Sequence, residues 1–160
     1  MVESLLEILR RNAKESPENM AKMLGVELGQ VESAIAKLEG RGIIRGWQAI
    51  INEDLVSQEH VTAVIEVRVT PEREGGFNRV AERVSKFDEV EAAYLMSGGY
   101  DLLLFVSGKN LLSVARFVSE KLSTIHGVLS TATHFRLKTY KQNGVLMAKP
   151  SEDERLVVSP

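Results

Sequence analysis

The 160 residues contain no cysteine, which excludes a disulfide framework and a thiolate metal site and gives no reason to expect an oxidising compartment. No apolar run approaches the roughly 20 residues that a bilayer-spanning helix needs. The opening MVESLLEILRRNAKES sets acids ahead of its apolar residues and has neither a basic leader nor a small-residue cleavage pattern, so it does not read as a signal peptide. A cytoplasmic protein with no membrane partner is the expectation. Surplus positive charge is also lacking, since 20 Lys and Arg face 22 Asp and Glu, and any attraction to nucleic acid must therefore come from a local patch. The three histidines, His60, His126 and His134, are scattered, and no P-loop or nucleophile-elbow spacing accompanies the Ser, Asp and His residues. No catalytic residue, metal or cofactor is expected. What remains, 44% hydrophobic and 26% charged residues, is the balance of a folded chain holding one ordinary domain or two small ones.

The first third has helical periodicity. In VESLLEILRRNA, Leu5, Ile8 and Leu9 share one face. Ser16-Pro17 supplies a capping hydroxyl and a proline at the first helical position, followed by Met20, Ala21, Met23 and Leu24 on the buried side and Gly25 as a stop. Val31, Ile35 and Leu38 then mark a third helix, closed by Gly40. Helix, short turn, helix is the plan of a helix-turn-helix, although a plain three-helix bundle has the same periodicity. The following GIIRGWQAIIN holds two β-branched runs separated by Arg45-Gly46, which suits a small hairpin or wing. Through Leu55 the segment carries seven basic residues against nine acids, an unusual balance for a module that binds phosphates. On the third helix Gln30, Ser33 and Lys37 could reach base edges or backbone, with Lys22, Arg41 and Arg45 at flanking phosphates.

A polar connector, residues 53–59, separates this region (1–52) from one with a different rhythm (60–145), and residues 146–160 read as a C-terminal tail. HVTAVIEVRVT alternates with Val61, Ala63, Ile65, Val67 and Val69 on one side. Phe77, Val80, Ala81 and Val84 form a helical stripe between Glu74 and Lys86; DEVEAAYLMSG and YDLLLFVSG read as strands. Asn110 can cap a helix with Leu111, Val114, Ala115, Val118 and Leu122 inward, and VLSTATHFRLKTY completes the set. The predicted order β-α-β-β-α-β is the split arrangement of a ferredoxin-like sandwich, with both helices on one face of a four-stranded sheet. The fold class is thus α+β. Helices cover only one sheet face, yet Leu103, Phe105 and Val64 point away from it. That face predicts at least a homodimer, the alternative being cover by the chain's own tail.

A helix-turn-helix with a wing, a short connector and a βαββαβ domain bearing a glycine-tyrosine-aspartate signature together resemble the Lrp/AsnC family, the feast/famine transcriptional regulators. The resemblance spans residues 1 to about 145. LEGRGIIRGWQAIIN is similar to the family's recognition-helix end and wing, SGGYDLLLFV to its effector-domain signature, and IHGVLSTATHFRLKTYK to its last strand. It implies a winged helix-turn-helix that binds double-stranded DNA, followed by an effector domain of the ACT-like kind. It further implies dimers through the C-terminal sheets, often assembled into octamers, with an amino acid or related small metabolite bound at junctions between dimers. Family members carry Ser, Thr and Arg where this chain shows GQVESAIAK, which leaves open a second reading, a metabolite-binding oligomer with a degenerate DNA-binding domain. A relative of this architecture, the sirohaem decarboxylases, carries a histidine- and arginine-rich stretch after the helix-turn-helix; GIIRGWQAIIN has no histidine, and an enzyme is disfavoured.

Under this resemblance SGGYD becomes the candidate effector site. Gly98 and Gly99 would let backbone N–H groups approach a ligand carboxylate, and Asp101 would accept from its ammonium. Met96, Ser97 and Tyr100 stand beside the turn, with Thr124, His126, Thr131 and Thr133 expected from a neighbouring copy. The plain alternative is a type I′ hairpin in which Asp101 hydrogen-bonds its own turn and nothing is bound.

Overall fold

A computed structural model of the chain describes residues 1–56, 60–71 and 77–147. The chain divides into two compact units, the first Met1–Ile50 and the second beginning at Ile51.

In the first unit, α1 (Val2–Arg11), α2 (Pro17–Leu24) and α3 (Leu28–Gly40) enclose a core of Leu5, Leu9, Met20, Ala21, Val31, Ala34 and Leu38. Ser16 accepts a hydrogen bond from the Asn19 N–H at 3.2 Å, and Gly25, with φ +65°, closes α2 in the left-handed conformation. The stripe assigned to α2 is narrower than its sequence indicates: Met20 and Ala21 are buried, whereas Met23 is 65% exposed. The expected wing is not paired in the chain itself. Ile43 and Ile44 donate back to the Leu38 carbonyl at 2.9 and 3.2 Å, and residues 45–52 carry no strand pairing. Trp47, Ile50 and Ile51 stay exposed, because a two-stranded ribbon without a covering layer is marginal in water.

The second unit opens with a single 3₁₀ turn, Glu53–Leu55, and then follows the expected order: β1 (Val61–Val69), α4 (Asn78–Val84), β2 (Val90–Leu95), β3 (Leu102–Gly108), α5 (Leu111–Arg116) and β4 (Val128–Phe135). Part of the stripe between Glu74 and Lys86 lies outside the described residues. The sheet order is β2-β3-β1-β4 with every neighbour antiparallel. Ala63, Ile65, Val67 and Val69 of β1 and Leu102, Leu104 and Val106 of β3 turn toward α4 and α5, where they meet Val80, Val84, Val114, Phe117 and Leu122. Full burial of each Val, Leu, Ile or Phe side chain among them contributes about 1.5–3 kcal/mol. The opposite face presents Val64, Leu103 and Phe105, all only half-buried, and Tyr94 at 53% exposure, edge-on to Phe105 with ring centroids 6.1 Å apart.

Two elements depart from the sequence pattern. Beyond Arg116 the helix widens into a π turn, Phe117–Leu122, in which Ser123 N–H reaches the Val118 carbonyl at 2.8 Å. The extra residue resets the phase, so the inward positions are Val114, Phe117, Leu122 and Ile125, while Leu111 and Ala115 are exposed. After β4, a short hairpin pairs β5 (Lys141–Gln142) with β6 (Val145–Leu146) around Asn143 at φ 47° and Gly144 at φ 87°. Positive φ at both central residues is the type I′ turn that Asn-Gly favours.

Candidate functional sites: a helix face and a glycine corner

The six residues proposed to meet DNA all lie in the first unit and are all exposed. Ser33, Lys37 and Arg41 follow one another at four-residue spacing, so they form a single ridge along α3. With Gln30 they border a groove of about 590 Å³ whose apolar lining includes Met1, Val2, Leu38 and Ile43. Gln30 has a second task. Its side-chain oxygen accepts the Glu27 N–H at 3.1 Å, capping the start of α3, which leaves its amide NH₂ as the group able to reach outward. Lys22 stands apart on α2, and the Arg45 guanidinium folds back over Gly42, where an added Cβ would lie 3.3 Å from it. Acids flank the ridge: Glu27, Glu32 and Glu39 are all exposed, and Glu39 accepts a hydrogen bond from the Trp47 indole N–H at 3.1 Å.

The SGGYD segment joins β2 to β3 through a four-residue connection, since the Met96 N–H reaches the Asp101 carbonyl at 2.8 Å. A two-residue type I′ hairpin is therefore not what forms. Nor does the Asp101 side chain turn inward on its own loop: Oδ2 accepts the Val69 N–H at 2.7 Å, while the Asp101 N–H donates to the Val67 carbonyl at 3.0 Å. Asp101 thus continues the β1–β3 ladder past the end of β3, at the place where the β1–β4 register shifts between Arg68 and Val69. The two glycines differ. Gly98 adopts φ +133°, open only to glycine at low cost. Gly99 has no such angle, and a Cβ there would meet nothing within 4 Å, so nothing among the described residues requires a glycine at 99.

The remaining effector candidates fall on both sides of β1. His126 is exposed beside Gly127, whose carbonyl accepts the Thr70 N–H at 2.8 Å. Thr131 is half-buried opposite Val67, and Thr133 is half-buried opposite Ile65. Hence the 97–101 connection, His126 and Thr131 gather at one end of the sheet, with Thr133 one same-face pair farther in. Thr124 is committed elsewhere, its hydroxyl donating to the Glu120 and Lys121 carbonyls at 3.2 and 2.8 Å. Among the described residues no group of three or more His, Cys, Asp or Glu is placed to hold a metal ion, and no helix is long and apolar enough to cross a membrane.

Residues 62–146, just over half of the chain, match the family described as the Lrp/AsnC ligand binding domain. The chain belongs to the Lrp/AsnC family. It is 48% identical over 98% of its length to the HTH-type transcriptional regulator YugG of Bacillus subtilis (strain 168), 95% of which is covered. Its fold is shared with E. coli AsnC at a TM-score of 0.65 and 22% identity, over 88% of this chain and 93% of that one. A transcriptional regulator from Neisseria meningitidis, solved as its complex with L-Met, aligns at the same TM-score and identity over 93% of this chain and 94% of that one. In this Lrp/AsnC chain several structural partners carry no sequence signal of their own. The Trp47–Glu39 bond and the reach of Asp101 to β1 each join a polar side chain to a group that only the folded backbone brings near. A capping pair at Glu27 and Gln30 is the one a reader of spacing could have found, because a polar residue three positions after the cap is a helix-start pattern.

Proposed function

We propose that this Lrp/AsnC protein is a DNA-binding transcriptional regulator whose oligomeric state or DNA affinity responds to an amino acid or related small metabolite. One observation carries this reading. A single chain joins a helix-turn-helix unit, with Ser33, Lys37 and Arg41 aligned on an exposed helix face, to a βαββαβ unit with an uncovered apolar face and a glycine corner. In this proposal α3 enters the major groove, Ser33, Lys37 and the Gln30 amide meet base edges, and Lys22, Arg41 and Arg45 hold phosphates. Two copies pair through their open sheet faces, and dimers assemble further, to octamers, placing two glycine corners near each junction. There the backbone N–H groups at Gly98 and Gly99 receive a ligand carboxylate. Asp101 receives the ammonium on the lone pairs left by Val69, since a carboxylate offers about four. We further propose that the protein is not an enzyme: its relatives carry the names of regulators, and the Asp101 carboxylate of SGGYD is engaged by the Val69 N–H.

A second reading is favoured by the acids of α3, Glu27, Glu32 and Glu39, which repel phosphate. It makes the protein a metabolite-binding oligomer whose first unit serves structure. A gel shift at low salt, on fragments from its own upstream region, separates the two. A shift is expected, with affinity falling as salt rises by about 0.9 per phosphate contact in the log–log slope, and Arg41→Gln should lower that slope by about one contact. No shift below roughly 100 mM salt, where screening is weak, would select the metabolite-binding oligomer.

A further inference from the structure

The end of the sheet remote from the glycine corner holds a small polar cleft of about 100 Å³, bordered by Glu53, Asp54, Thr62, Arg136 and Lys138. Its charges are sorted by wall. The acids sit on the 3₁₀ turn that opens the second unit, and the bases follow β4. Both walls are tied to the C-terminal hairpin. The Asn52 side chain donates to the Met147 carbonyl at 2.7 Å, the Leu55 N–H returns to the Asn52 carbonyl at 3.0 Å, and the Met147 N–H reaches the Tyr140 carbonyl at 2.9 Å. The floor is Thr62, a polar side chain at 4% exposure. Its hydroxyl accepts from the Arg136 guanidinium at 2.9 Å, and its carbonyl accepts the Arg136 N–H at the same distance. Arg136 is thereby held at two points, and Lys138 lies over the Tyr140 ring, 5.0 Å from its centroid.

The acids and bases on facing walls do not pair with each other. Among the described residues the acid–base contacts within 4 Å include Lys121–Glu89 and His134–Glu66 but none between the two walls, so the Arg136 and Lys138 cations and the Glu53 and Asp54 carboxylates remain more than 4 Å from one another. The Arg136 guanidinium is engaged by Thr62 and the Lys138 ammonium by the Tyr140 ring, while the backbone bonds above position the turn that carries the two acids. A guest that carries both signs completes the arrangement, and one with a single sign leaves one wall uncompensated. Because a water's share of liquid volume is about 30 Å³, the cleft has room for a molecule the size of the smallest amino acids.

We propose that this cleft is a second ligand site, selective for a small zwitterion with a carboxylate and an ammonium on the same carbon. The carboxylate lies against Arg136 and Lys138, and the ammonium against Glu53 and Asp54. It is a different site from the glycine corner. Thr62 and Val69 stand near opposite ends of β1, roughly 20 Å apart at about 3.3 Å per residue, so one ligand cannot touch both. The guest would tie the turn that opens the unit to the end of β4 and the hairpin beyond it.

Glycine is the probe, titrated into the full-length chain with ¹³C-labelled threonine methyls observed by NMR. Thr62 and Thr139 report the cleft, and Thr131 and Thr133 report the other end. The expected result is saturable shifts at Thr62 and Thr139, with acetate and methylammonium each at least about tenfold weaker than glycine, the scale of one lost charge-assisted contact. Glu53→Gln, which leaves the Arg136–Thr62 anchor intact, and Arg136→Lys, which keeps the charge but loses the fork, should each weaken glycine by a similar factor while the thermal midpoint of Glu53→Gln stays put. Acetate matching glycine would make the cleft a plain anion site, and methylammonium matching glycine a plain cation site. Either result overturns the proposal, as do shifts confined to Thr131 and Thr133.

Discussion

Asp101 decides how the glycine corner can be probed. Its Oδ2 holds the Val69 N–H at 2.7 Å, so truncation to alanine strands a donor at the end of a core strand and costs about 1–3 kcal/mol. Loss of ligand binding in Asp101→Ala would therefore report unfolding of the corner as readily as a missing contact. Asp101→Asn keeps an acceptor for Val69 and removes the charge. Urea unfolding should place its midpoint near the parent's and well above that of the alanine variant, while titration with an amino-acid panel should show weakened binding. Equal binding by the asparagine variant would remove Asp101 from the site. Glu89 gives a pH-dependent counterpart. Its hydrogen bond to Lys121 holds the Glu89 carboxyl below the usual carboxylate range, against a smaller opposing effect of burial. A depressed carboxyl contributes stability above its unfolded value, near 4.3, and loses it as pH falls through the lower folded value. Both partners remain partly exposed, so Lys121→Gln should cost at most about 1 kcal/mol at neutral pH, and thermal melts should bring variant and parent together once pH has fallen through the lowered folded value.

The strands of the second unit were legible because alternation has one physical meaning. Residues two apart share a face, and Ala63, Ile65, Val67 and Val69 are all buried. The helix after Asn110 was legible in its cap, where Ser113 N–H meets the Asn110 side chain at 2.8 Å, but not in its phase. Periodicity of 3.6 cannot announce a π turn, which here sets both Phe117 and Leu122 in the core. Residues 43–52 failed for a different reason. Two β-branched runs specify a tendency to pair and not a partner, and among the described residues they form no strand pairing. The glycine pair was legible as a pair and not as two different positions. Gly98→Ala should cost about 1 kcal/mol or more, because φ +133° strains any Cβ. Gly99→Ala meets open space and should leave the denaturation midpoint unchanged or slightly raised. If Gly99→Ala still abolishes the response to an amino acid while stability is unchanged, the need for glycine lies outside the single chain, in a ligand or a neighbouring copy.

The uncovered sheet face binds these observations to assembly. Leu103 and Phe105 of β3 and Val64 of β1 are only half-buried and Tyr94 is 53% exposed, while the reverse face of the same strands is sealed by α4 and α5. Apolar surface of this kind on a sheet is removed from water most simply by a second copy, related by a twofold axis that sets identical faces together. The charges nearby do not forbid this, because Glu66, which shares that face, already has His134 as a neighbour at 3.5 Å. Leu103 offers the cleanest intervention. It stands directly opposite Glu66 in the β1–β3 register, so Leu103→Lys adds a cross-strand pair of opposite charge, worth about 0.2–1 kcal/mol to the single chain. The same lysine would face its own symmetry mate or apolar surface across the dimer. Light scattering should find the parent a dimer or larger at micromolar concentration and Leu103→Lys monomeric yet folded by its thermal melt. Leu111→Lys, an equal change at an exposed position on the helical side, should leave the mass of the assembly as it was. Should the Leu103 variant keep the parent's mass, the sheet face is not where the copies meet, and glycine corners from two dimers would have no reason to converge.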